Sequence, residues 1–203
     1  MQLALFSTEL PVHQDLAAKA NSCVDCPLYD QPGGGVAFSD GPISAQVMFV
    51  GEAPGENEAK KGKPFVGKAG KLLNIGLRNI GLPRERVYIT NVCKHRPAGN
   101  RTPTLYEQTA CAARFLSKEL EIVNPKIIVP LGNPAMKYFL GADKSISRMR
   151  GKWGKYNNHF VLPMFHPAYV LRNGDRTEGS PADLSWKDLC ELKRALNERI
   201  WEE

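Results

Sequence analysis

Val47 to Gly70 reads VMFVGEAPGENEAKKGKPFVGKAG, and this stretch decides the fold. The apolar run Val47-Met48-Phe49-Val50 stops at Gly51. A turn rich in glycine, proline and glutamate follows, and then the start of a helical pattern. That is a strand, a loop and a helix. In an open α/β sheet, ligands bind in the crevice beyond the carboxyl ends of the strands, so Gly51 to Phe65 is expected to wall a pocket.

Working outward, Val66, Leu72, Leu73, Leu77 and Ile80 recur at helical spacing before Gly81-Leu82-Pro83, which predicts a helix over 68–80. Val87 to Val92 is rich in β-branched and aromatic residues and reads as a second strand, ending near Asn91 and Cys93. Lys94 to Pro103, KHRPAGNRTP, is a basic loop. Thr104 with Glu107 three residues later resembles a capping box, which predicts a helix to about Val123. Ile127 to Leu131 is a third strand, Gly132-Asn133-Pro134-Ala135 opens a short helix to Leu140, and residues 141–158 read as polar and irregular. Phe160 to Phe165 is a fourth strand, ending at His166-Pro167, and Leu184, Leu189, Leu192, Leu196 and Ile200 mark a C-terminal amphipathic helix. Upstream, residues 12–22 read as a short helix, and the glycines of Gln31 to Gly35 require a loop.

Strands that alternate with helices argue for a parallel sheet covered on both faces. The expected fold is one domain over residues 1–203, a three-layer α/β/α sandwich with a central, mainly parallel four-stranded sheet. Right-handed crossovers put all strand ends on one rim, which gathers Glu52, Asn91, Gly132 and His166.

A chain of 203 residues with 42% hydrophobic and 24% charged residues supports one sizeable core. Lysine and arginine outnumber the acids 27 to 21, and the net charge of +6 suits an anionic partner such as nucleic acid. No apolar run reaches the roughly 18 residues of a membrane span, and the N-terminus lacks the pattern of a signal peptide. A soluble protein of the cytoplasm is expected. Five cysteines, an odd count, speak against a disulfide framework and for free thiols or metal ligands.

Gly62 to Lys68 matches the phosphate-binding pattern G-x-x-x-x-G-K, but Ala69 stands where a magnesium-binding Ser or Thr belongs and no strand directly precedes it. A P-loop nucleotidase is therefore disfavoured. Cys23 and Cys26 form C-x-x-C, Cys111 lies at a helix start, and the basic segment offers Cys93 and His95. Such donors suit an iron–sulfur cluster or a structural zinc. The plainer reading of Cys93 is a small core residue, and that of Cys190 a packing residue on the last helix.

GEAPGENE, GKPFVGKAGKLLN, YITNVCKHRPAGNRTP, PKIIVPLG, RGKW and PMFHPAYVLRN together resemble the family 4 uracil-DNA glycosylases, the iron–sulfur type. The likeness runs from Cys23 to the last helix. It implies a DNA repair enzyme that hydrolyses the N-glycosidic bond of deoxyuridine, on single- or double-stranded uracil-containing DNA, as a nucleoid-associated monomer. The reading from another class is a non-catalytic binder of uracil-containing or single-stranded DNA with a structural cluster.

The resemblance also implies roles. Asn91 would read the uracil edge, donating to O4 and accepting from N3–H, the reverse of what cytosine presents. Phe65 would stack on the flipped base. His166 would donate to uracil O2 as charge develops there. Glu52 would orient water or stabilise the cationic sugar, and the backbone at Ala53 would join in binding. Tyr169, Val170, Leu171 and Arg172 resemble the loop that wedges into the duplex. Arg96, Arg101, Arg148, Arg150 and Lys152 are candidate phosphate contacts.

A [4Fe-4S] cluster is implied on Cys23, Cys26 and Cys111 with a fourth ligand. The family pattern N-x-x-K-C-R-P here reads Asn91-Val92-Cys93-Lys94-His95-Arg96-Pro97, with histidine in the cysteine's place. Both Cys93 and His95 point to one side of an extended segment, so periodicity does not decide between them. Recruiting Cys93 is expected to pull the chain beside Asn91, which favours His95. The KRRIH insertion of the cross-linking X-type subgroup is absent.

Overall fold

The computed structural model describes residues 2–141, 143–175 and 177–202, with side chains from Leu10 onward. In chain order the elements are α1 (Gln2–Asn21), β1 (Ser39–Asp40), β2 (Val47–Gly51), α2 (Glu56–Lys61), α3 (Lys68–Asn79) and β3 (Tyr88–Asn91). Then follow α4 (Leu105–Cys111), α5 (Ser117–Val123), β4 (Ile127–Pro130), α6 (Asn133–Leu140) and α7 (Ile146–Met149). The chain closes with β5 (Gly154–Tyr156), β6 (His159–Val161), α8 (Pro167–Asn173) and α9 (Pro181–Glu198).

The sheet has six strands in the order β1-β3-β2-β4-β6-β5. The inner four, β3, β2, β4 and β6, are parallel, while β1 and β5 pair antiparallel at the two edges. The four-stranded expectation is thus corrected to six. β1 has only two residues and no hydrophobic pattern to betray it. β5 and β6 form a hairpin whose turn residue Asn157 has φ of 51°, a conformation asparagine tolerates. The fourth strand stops at Val161, before Pro163, yet Leu162 and Met164 still donate to Ile128 and Pro130 at 2.9 and 3.0 Å. That continued pairing carries His166 to the rim. The N-terminal helix also starts earlier than expected, at Gln2, and contains Pro11, which forgoes one backbone bond without ending it.

Period-two alternation sorts the parallel strands between two cores. Met48, Val50, Tyr88 and Ile128 face a layer made by α1, α5 and α6, through Leu16, Leu120 and Phe139. Val47, Phe49, Ile89, Ile127 and Val129 face α3 and α9, through Leu73, Leu77, Leu192 and Ala195. The three-layer expectation holds. On α9 the inward positions are Asp188, Leu192 and Ala195, so Cys190 falls on the outer face and is exposed, not the packing residue expected.

Between α4 and α5 a π turn, Ala112–Leu116, adds a residue to the helix. It brings Cys111 and Glu119 onto one face, close to two whole turns apart, and both are buried. Glu119 pairs with Lys94, and neither side chain is exposed at all. Tyr88 and Thr90 hydroxyls each donate to Glu119 Oε1 at 2.9 Å, while Lys94 Nζ also donates to the Asn91 carbonyl at 2.8 Å. No described helix is long and apolar enough to cross a membrane.

Candidate functional site

The strand order reverses beside β2, and a cleft of about 590 Å³ opens there beyond the carboxyl ends of β2, β3 and β4. Glu52, Ala53, Phe65, Asn91 and His166 all line it, and Arg101 and Arg172 are on its wall. The residues the sequence assigned to catalysis and base binding therefore converge.

Gly51 ends β2 opposite Asn91. A Cβ there would lie 2.3 Å from Asn91 Oδ1 and 2.8 Å from the Phe65 ring, so only glycine leaves room for both groups. Asn91 is 2% exposed and held from behind by Lys94. Phe65 has φ of 53°, a left-handed conformation that costs an L residue roughly 1–2 kcal/mol. Its ring lies 5.5 Å from that of His166, tilted by 33°.

His166 caps α8, and its Nδ1 accepts from the Ala168 N–H at 3.1 Å. That bond fixes the neutral tautomer with the proton on Nε2, which is left free to donate. Desolvation in the cleft wall, with Arg172 adding and Glu58 opposing, pushes the imidazole down to about 4. His166 is therefore neutral at neutral pH. Gly132, with φ of 87°, lets it approach, because a Cβ there would lie 3.0 Å from that of His166. Burial raises the Glu52 carboxyl above its ordinary range, and a hydrogen bond with Thr102 partly opposes the shift.

Residues 38–190 match the uracil DNA glycosylase superfamily. The chain belongs to that superfamily. It is 45% identical over 162 residues to the type-4 uracil-DNA glycosylase of Thermotoga maritima, covering 78% of this chain and 82% of that one. It is 46% identical to the type-4 enzyme of Sulfurisphaera tokodaii, over 75% and 72% of the two chains. It is 42% identical to that of Archaeoglobus fulgidus, over 88% and 92%.

The structure places several of the expected DNA contacts away from an open surface. Val170 is buried and faces a second, apolar cavity of about 190 Å³ with Leu72 and Trp186, because its position on α8 turns it toward α3 and α9. Leu171 is 50% exposed and Arg172 is exposed, so these two remain available at the surface. Arg150 is not a free cation. It pairs with the buried Asp188 and donates to the Leu184 carbonyl at 2.9 Å, tying α9 to the rest of the chain. Arg96 donates to Gly33 O and Asn100 Oδ1, each at 2.9 Å, and so braces the glycine loop. Arg101 forms a two-pronged pair with Glu107 at 2.7 and 2.8 Å while still lining the cleft. Arg148 and Lys152 are exposed.

The cysteines gather at the other end of the basic segment. Tyr106 donates to Asp25 O at 3.3 Å and Arg114 pairs with the Asp25 carboxylate, which docks the Cys23–Cys26 turn on α4. Cys26, Cys93 and Cys111 are buried and Cys23 is half-buried. Cys93 Sγ donates to the Glu107 carbonyl at 3.7 Å, and Cys111 Sγ accepts from the Lys94 N–H at 3.3 Å; the neighbouring Cys93 and Lys94 hold the Cys111 thiol below its ordinary value. His95 is 7% exposed, bridges Val36, and is lowered by burial. No three described His, Cys, Asp or Glu side chains are grouped so as to hold a single metal ion.

Sequence reasoning missed Glu58, Thr102 and Arg84. Glu58 lies within the quoted GEAPGENE stretch, but its partners, the Val66 and Gly67 N–H groups at 2.8 and 2.7 Å, are set by how the loop folds back.

Proposed function

We propose that the chain hydrolyses the N-glycosidic bond of deoxyuridine in DNA, releasing uracil and leaving an abasic site. The observation that carries this reading is the convergence of Glu52, Phe65, Asn91 and His166 on one cleft in a chain of this superfamily. The names of its relatives, type-4 uracil-DNA glycosylase, point the same way.

In this reading the deoxyuridine leaves the stack and enters the cleft. Phe65 stacks on the base while the Asn91 amide pairs with O4 and N3–H. As the glycosidic bond breaks, electrons move onto the base, and the Nε2–H of neutral His166 stabilises O2. A fixed neutral donor aimed at developing charge lowers the barrier without a proton having to be supplied first. Ionised Glu52 faces the cation-like sugar carbon and orients the attacking water. Arg172, Leu171, Arg101, Arg148 and Lys152 meet the DNA, and Arg96 acts on it indirectly through the glycine loop. The domain works as a monomer on cytoplasmic, nucleoid DNA. Excision from a uracil-containing oligonucleotide in EDTA, with no nucleotide added, tests the reading. Abasic product is expected, and its absence where a known glycosylase is active would overturn it.

The pH profile follows from the two shifted groups. Glu52 must be ionised, so activity falls as pH drops through its raised pKa, whereas His166 stays neutral down to about 4. Single-turnover rates should show one acid limb, above the ordinary carboxylate range, that Glu52→Gln abolishes. A limb that survives Glu52→Gln contradicts this assignment.

By their donor chemistry the cysteines and histidine around the basic segment would suit a [4Fe-4S] cluster. Cys23, Cys26 and Cys111 supply three thiolates, and the backbone N–H on Cys111 Sγ is the kind of bond that stabilises one. The fourth ligand we assign is His95, at the family's ligand position. When bound, the group supplies a rigid tie between the Cys23–Cys26 turn, the basic segment and α4. One observation favours Cys93 instead: its Sγ donates to the Glu107 carbonyl at 3.7 Å, one turn before Cys111 on α4, with Asn91 in place, so recruiting it need not displace the chain. The expected result is that His95→Ala loses iron and Cys93→Val retains it. The opposite pattern, read by iron content and visible absorption, assigns Cys93.

A further inference from the structure

Among the described non-glycine residues with positive φ, three are asparagines, which tolerate it, and only Phe65 is aromatic. Something outside the ring must impose that backbone. Arg84, in the turn after α3, does not line the cleft, yet its Nη1 donates to Phe65 O at 3.0 Å and its Nη2 to Pro64 O at 2.7 Å. Its own orientation is fixed by Asp40, which accepts from Nε at 2.8 Å, and by Asn74 Oδ1 at 3.2 Å. The Arg84 side chain is only 15% exposed, so these bonds are largely shielded from water. On the other side of the loop, Glu58 Oε1 holds the next two N–H groups. Gly70 completes the clamp, since a Cβ there would meet Phe65 O at 1.8 Å.

We infer that Arg84 is a positioning residue for base recognition, holding Phe65 from outside the cleft in the conformation that lays its ring beside Asn91 and His166. The inference rests on the glycosylase reading above. A planar guanidinium suits the task because it bridges two adjacent carbonyls and a carboxylate at once, in fixed geometry. Lysine, with one small donor head, does not. Freed of Arg84, residue 65 relaxes toward negative φ and its ring leaves the wall.

A double-mutant cycle on single-turnover excision tests this, using wild type, Arg84→Met, Phe65→Ala and the double variant on a uracil-containing oligonucleotide. Phe65→Ala alone should lose about ten- to a hundredfold, the usual worth of a base stack, and stay measurable. Arg84→Met should lose about tenfold in the wild-type background and less than about twofold once Phe65 is alanine, because the group it positions is gone. An Arg84→Met variant as active as wild type, or one that loses the same factor in both backgrounds, overturns the role. If Arg84→Met does not fold, Asp40→Asn, which weakens the hold on Nε, goes through the same cycle with the same criterion. An inactive wild type would overturn the glycosylase reading and this one with it. An active wild type with equal losses overturns only the role of Arg84.

Discussion

Lys94→Met is expected to destabilise the folded chain by about 3–5 kcal/mol, the cost of leaving a buried charge without its partner. For a protein of this size that is a fall in Tm of roughly 10 °C. Lys94 and Glu119 are both fully buried, and Lys94 Nζ is shared among Glu119, the Thr90 hydroxyl at 2.6 Å and the Asn91 carbonyl at 2.8 Å. Burial already raises the Glu119 carboxyl, with Lys94 the first of the groups opposing it. Removing Lys94 raises it further. A carboxyl whose folded pKa lies above its unfolded value contributes stability below the unfolded pKa and loses it as pH rises through the folded one. The variant's deficit should therefore be larger at pH 8 than at pH 5, and adding Glu119→Leu should recover part of it. Melting curves at the two pH values check this, and a deficit under about 1 kcal/mol at pH 8 contradicts it.

His166→Ala is expected to lower kcat by about a hundred- to a thousandfold while changing KM little, the signature of a donor that acts mainly in the transition state. The reason is the tautomer: Ala168 N–H occupies Nδ1, so Nε2–H is already in place before charge develops. Steady-state and single-turnover rates on one oligonucleotide separate the two constants. A loss confined to KM would move His166 from the chemical step to substrate binding.

The inner sheet and the floor of the cleft were legible because they rest on local patterns. Buried strands read as continuous apolar runs, and each ended at a residue that the right-handed crossover brought to one rim. The shared rim of Glu52, Asn91 and His166 needed nothing more, whereas their separate roles rested on the family resemblance. What escaped depended on contacts between distant segments. β1 is too short for a pattern, whereas the Asn157-Asn158 hairpin of β5 and β6 did carry a turn signal that the polar surroundings obscured. Arg150 looked like a surface cation until Asp188 came within reach from α9. Val170 looked like part of a wedge because helix phase, which turns it inward, depends on where α8 begins. Arg84 and Glu58 act on backbone atoms of the Phe65 loop, and no spacing in sequence announces such a partner.

Asn91 is assigned to read the base through its amide, and the ratio of kcat/KM for uracil over cytosine at one position of one oligonucleotide tests that assignment. A site built to hydrogen-bond one edge rejects the opposite pattern by about 10⁴-fold or more, so the wild-type chain should reach that ratio. In Asn91→Asp the carboxylate only accepts, losing the donor to uracil O4 while gaining an acceptor for the cytosine amino group. The ratio should collapse in this variant, with uracil excision falling as cytosine excision rises. A variant that keeps the wild-type ratio would contradict it and remove Asn91 from the reading of the base.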